Sequence, residues 1–81
     1  MKRTVELYGR LKDGGLGACV DLELRDDATV ADILLVLKGL LGKNAGLLDG
    51  AALAGEEAVL AAGDALPREG RLAVLPPVCG G

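Results

Sequence analysis

Apolar and polar residues alternate strictly over residues 3–8, with Val5 and Leu7 on one side and Thr4, Glu6 and Tyr8 on the other. That period of two belongs to a strand with one buried face. The glycine-rich stretch Asp13-Gly14-Gly15-Leu16-Gly17 breaks it, and the alternation resumes with Val20, Leu22 and Leu24 against Asp21, Glu23 and Arg25. A second strand is predicted there, as the hairpin partner of the first.

The spacing then changes. Thr29-Val30-Ala31-Asp32 has the form of a capping box, with a hydroxyl and an acid placed to satisfy free N–H groups in the positive first turn. Val30, Ile33, Leu34, Leu37, Leu40 and Leu41 recur at helical spacing, Leu35 lies off that stripe, and Gly42-Lys43-Asn44 supplies the stop. Beyond Leu47 the turn signals Asp49-Gly50, Gly55-Glu56 and Gly63-Asp64 crowd together. Short strands are predicted near Ala51–Ala54 and Ala58–Ala61. After the turn Arg68-Glu69-Gly70, a last strand over Arg71–Leu75 is halted by Pro76-Pro77, whose nitrogens cannot donate to a ladder. Two strands, a helix and further strands predict an α+β domain with one mixed sheet of four to five strands and the helix packed across one face. Residues 1–75 form the domain on this reading, and 76–81 an extended C-terminal tail.

Composition narrows the chemistry. At 81 residues there is room for one core, which buries roughly 60% of the unfolded chain's surface. Tyr8 is the only aromatic residue, so the core is built from Leu, Val, Ile and Ala. Twelve acidic against nine basic residues give a net charge of −3, which disfavours binding to a phosphate backbone and suits a basic protein partner. With no His, neither a zinc site nor a His-based catalytic triad is expected, both being excluded on inventory. Asp26-Asp27 reads as a turn before the helix, and Glu56, Glu57 and Arg68 as solvated surface. No run approaches the ~20 apolar residues of a membrane span, so a cytoplasmic protein is expected, with Cys19 and Cys79 unpaired. No acid, base and electrophile stabiliser gather into a catalytic set, and the chain is not expected to be an enzyme.

The candidate chemistry lies in the last six residues, Pro76-Pro77-Val78-Cys79-Gly80-Gly81. A glycine pair has no side chains to collide with an enclosing channel, so the terminal carboxylate can thread into a narrow partner site. Taken with Gly70-Arg71-Leu72-Ala73-Val74-Leu75, Val5-Glu6-Leu7-Tyr8-Gly9-Arg10-Leu11-Lys12, the segment Ala28–Leu34 and the element order, this ending resembles the ubiquitin-like β-grasp sulfur carriers, in particular the small subunit of molybdopterin synthase. The likeness covers essentially the whole chain.

The resemblance implies a carrier that binds no cofactor of its own. An E1-like adenylating enzyme would use Mg-ATP to adenylate Gly81. Sulfur from a sulfurtransferase or cysteine desulfurase would then leave a thiocarboxylate, which donates to a pterin in the molybdopterin synthase large subunit. Gly80, Cys79, Pro77 and Pro76 would form the tail, and Tyr8 and Leu75, where the family carries large apolar residues, the partner interface. Ordinary edge packing of Tyr8 and Leu75 within the domain is the alternative. Cys79 stands where Ser or Ala is usual, and its thiol could be idle, form a mixed disulfide or capture the activated acyl group. Two further functions fit the same tail: sulfur donation to the thiamine thiazole or another sulfur-containing product, and conjugation to partner proteins through Gly81.

Overall fold

The computed structural model describes residues 2–76. Strand β1 (Lys2–Leu7) pairs antiparallel with β2 (Cys19–Glu23), as the alternation predicts. The connection between them is more ordered than a glycine-rich loop. A 3-10 helix over Gly9–Gly14 buries Leu11 beneath the sheet's end. Gly14 lies against Leu41 and Leu47, in space that a side chain would fill, and its carbonyl accepts from Asn44 Nδ2 at 3.2 Å.

Helix α1 (Val30–Leu41) starts at the expected cap, where the Thr29 N–H donates to Asp32 Oδ2 at 2.8 Å. Its next free donors are met from afar, Val30 N–H by the Asp64 carbonyl at 3.1 Å and Ala31 N–H by that of Ala62 at 3.0 Å. The loop over residues 61–65 thus closes the helix N-terminus, satisfying groups that no intrahelical bond can reach. At the other end Gly42 stops the α-helix, but the chain continues as a 3-10 helix, Gly42–Leu48, rather than entering a loop.

The buried stripe of α1 is Val30, Ile33, Leu37 and Leu41, with Leu34 half-buried. Leu40 departs from the expected stripe: it is 50% exposed, because it lies about 60° round the helix from Leu37 and about 100° from Leu41, on the side turned away from the sheet. Facing the stripe from the sheet are Val5, Leu7, Leu22, Leu53, Leu72 and Val74. Each such aliphatic side chain contributes about 1.5–3 kcal/mol when removed from water, so the core is carried by residues on a single face of each element.

The middle strands are shorter than expected, β3 spanning Ala52–Ala54 and β4 Val59–Leu60. Alanine and leucine suit helix and strand alike, so only the pairing with neighbours sets these ends. Strand β5 (Leu72–Leu75) lies in the centre of the five-stranded sheet, whose order is β2-β1-β5-β3-β4. It is parallel to β1 and antiparallel to β3. One charged residue supports this arrangement from within. Arg3 shares the buried face of β1 and donates to the carbonyls of Pro67 and, at 3.0 Å, Gly70, clamping the loop that leads into β5.

Candidate functional site at the open end of the sheet

The face of the sheet turned away from α1 is built by the alternate residues of each strand. Register places Glu6 of β1 beside Ala73 of β5, and Ala73 beside Ala54 of β3. Leu75 pairs with Ala52 in the same way. One position beyond the Leu7–Val74 pair, Tyr8 falls next to Leu75, its N–H donating to the Val74 carbonyl at 3.3 Å. The two alanines leave a trough of about 460 Å³ lined by Glu6, Tyr8, Ala54, Gly55, Glu56, Arg71 and Ala73.

A polar lattice borders that trough. Arg71 grips Glu6 with both arms of its guanidinium, Nε to Oε2 at 2.8 Å and Nη2 to Oε1 at 3.0 Å, a fork geometry that fixes both side chains. The Tyr8 hydroxyl donates to Glu6 Oε1 at 2.8 Å, and Glu56 Oε1 accepts the Arg71 backbone N–H at 3.4 Å. The Arg71 hydrogen bonds, joined by that of Tyr8, hold the Glu6 carboxyl below its ordinary pKa. The same carboxylate raises the pKa of Tyr8 and of Arg71 through those hydrogen bonds. Glu6 is thereby held ionised and oriented, a fixed acceptor next to the strand that carries the chain toward its end.

Tyr8 is 42% exposed and Leu75 half-buried, and they sit side by side. The structure brings both to one surface and also ties Tyr8 down through Glu6, itself held by Arg71, a contact the sequence did not anticipate. That signal was legible only as an acid and a base on the polar sides of two strands, whose adjacency depends on β5 joining β1. At the end of β5 the half-buried Pro76 packs over Gly9, whose backbone has φ +60°. A Cβ on Gly9 would stand 2.8 Å from Pro76 Cγ, so a glycine is needed for the proline to seat there. Gly81, Gly80, Cys79 and Pro77 lie outside the described residues. Cys19 is exposed on the edge strand β2, and Asp26-Asp27 form the turn before α1, as expected. Glu57 and Arg68 are solvated as expected, whereas the exposed Glu56 also meets the Arg71 backbone. Among the described residues no helix is long and apolar enough to cross a membrane.

No family model matches the sequence, and no curated protein matches it. The fold has clear counterparts among solved structures. Small archaeal modifier protein SAMP1 from Haloferax volcanii is 27% identical, with a TM-score of 0.75 over 100% of both chains. A second crystal structure of small archaeal modifier protein 1 from that organism gives 26% identity and a TM-score of 0.73, covering 95% of this chain and 98% of the other. A Pyrococcus furiosus protein described as molybdopterin converting factor, subunit 1, is 20% identical and has the same fold, with a TM-score of 0.80 over 96% of this chain and 99% of its own. With one helix packed on a five-stranded mixed sheet, and likenesses that run nearly end to end, the chain has the ubiquitin-like β-grasp fold and is similar to these small archaeal modifier and molybdopterin converting factor structures.

Proposed function

We propose that the chain is a sulfur carrier whose reacting group is the C-terminal carboxylate of Gly81, serving molybdopterin synthesis. The observation that carries this reading is where β5 ends. The central strand stops at Leu75 beside Tyr8, and Pro76 seats on Gly9, next to an accessible trough.

A carboxylate is a poor electrophile, because its charge repels nucleophiles and oxide is a poor leaving group. An E1-like enzyme removes both obstacles with Mg-ATP: a Gly81 oxygen bonds to the α-phosphorus and pyrophosphate leaves. The terminal sulfur of a persulfide, delivered by a sulfurtransferase or cysteine desulfurase, then bonds to the acyl carbon and AMP departs. A second thiol cleaves the sulfur–sulfur bond and leaves the thiocarboxylate. That sulfur is transferred to a pterin in a large synthase subunit. Tyr8 and Leu75 form the apolar contact with these partners, Gly80 lets the chain enter their narrow sites, and Pro76 and Pro77 reduce the entropy lost on entry. The oriented Glu6 offers an acceptor to a basic partner surface.

A second reading is favoured by the end-to-end likeness to small archaeal modifier protein 1: the adenylated Gly81 is joined to amino groups of other proteins. Both readings share the first step. Intact mass of chain produced with its activating enzyme should show one carboxyl oxygen replaced by sulfur, and deletion of Gly81 should abolish this while the domain stays folded. A chain that gains no sulfur but is recovered in isopeptide conjugates supports the modifier, and a Gly81 deletion that still carries sulfur removes the proposed site.

A further inference from the structure

Arg71 reaches Tyr8 through a single intermediary. Its guanidinium holds both oxygens of Glu6, and Glu6 Oε1 takes the Tyr8 hydroxyl at 2.8 Å. A residue of β5 thus fixes a ring that the backbone leaves poorly supported. Tyr8 lies just past the end of β1, precedes Gly9 and is 42% exposed, so no strand residue follows it on that face.

The lattice adds little to the fold itself. Arg71 is mostly exposed, and an ion pair in contact with water contributes little to stability. Holding the Arg71 and Glu6 side chains in one arrangement also costs rotamer entropy. What the arrangement does supply is a fixed border. Tyr8 and Glu56 both line the trough, and Arg71 is bonded toward both, to Glu6 through its guanidinium and to Glu56 through its backbone N–H at 3.4 Å.

We propose that Arg71 and Glu6 are positioning residues for partner capture, holding the Tyr8 ring in the orientation in which the activating enzyme takes it. This rests on the carrier reading, in which Tyr8 and Leu75 form the contact. An exposed aromatic side chain gives up rotamer freedom when a partner packs on it, and one already fixed has less to lose. The hydroxyl is spent within this chain, so the partner meets the apolar surface of the ring. Arg71 therefore acts on capture through Tyr8 and not by a contact of its own.

Two measurements test this. Tyr8 is the only aromatic residue, so its proton resonances are read without overlap from another ring. Its Hα–Hβ couplings should report one χ1 rotamer in the free native chain and averaged rotamers in Arg71→Met, while the urea midpoint stays near native. Capture by the activating enzyme, followed by surface plasmon resonance without ATP, should weaken about threefold to tenfold in Arg71→Met. Tyr8→Phe should lose as much although its ring is more apolar, and it keeps the test valid if Arg71→Met fails to fold. The double variant should lose no more than either single one, because both cut the same chain of contacts. Losses that multiply in the double variant place Arg71 or the hydroxyl in direct contact with the partner and overturn the proposal. Averaged rotamers in the native chain, or native affinity in Tyr8→Phe, overturn it too, and all three leave the carrier reading standing. A native chain with a fixed ring that the enzyme does not capture removes the carrier reading and the proposal together.

Discussion

Gly9 and Pro76 are packed so closely that a single added methyl at Gly9 would collide with the proline ring, at 2.8 Å from Cγ. The contact joins the turn after the first strand to the residue that follows the last one, and so fixes Pro76 against β1's end.

Gly9→Ala should therefore act twice, through the left-handed backbone at φ +60° and through the displaced proline. A loss of about 1–3 kcal/mol in urea unfolding is expected, with shifted proline resonances at Pro76. Gly39→Ala provides the contrast, because its site is open and inside a helix. It should stabilise by about 0.5–1 kcal/mol.

Arg3 is the second structural dependence. Replacing it with Leu leaves the Pro67 and Gly70 carbonyls without their donor, at an expected cost of about 1–3 kcal/mol. Amide exchange should accelerate first at Arg71 and Leu72, where the clamped loop enters β5.

The Glu6 carboxyl titrates below its ordinary value, owing first to Arg71 and then to Tyr8. A lowered folded pKa means that the pairing stabilises the fold above the unfolded pKa, and that this contribution is lost as pH falls through the folded pKa. In a carbon-13 carboxyl titration, Arg71→Met should raise the Glu6 pKa, leaving a smaller depression from the Tyr8 hydroxyl. An unchanged Glu6 midpoint in that variant would contradict the assigned cause.

At the proposed partner surface, binding and stability should separate. Tyr8→Ala and Leu75→Ser, made singly, should each weaken capture by the activating enzyme about tenfold or more. Tyr8→Ala should change the unfolding free energy by only about 0.5 kcal/mol, since Tyr8 is exposed. Leu75 is half-buried and should cost more, so surface plasmon resonance and urea unfolding together separate the two roles.

Much of the fold is written in local patterns. The alternation over residues 3–8, the Thr29–Asp32 cap and the helical spacing from Val30 to Leu41 each specify an element, because a strand or helix needs only its own residues to place apolar groups on one face. The glycine ending and its resemblance to sulfur carriers likewise needed only the sequence. Tertiary structure decided the rest. Leu40 reads as core in the periodicity and turns outward once Leu37 and Leu41 occupy the interface with the sheet. The alanine-rich strands take their ends from their partners, and the 3-10 helices take theirs from packing such as Gly14 against Leu41. The Glu6–Arg71 pair joins residues 65 apart in sequence. It exists only because β5 inserts parallel to β1, a non-local pairing that no local propensity encodes, and that insertion is also what carries Pro76 onto Gly9.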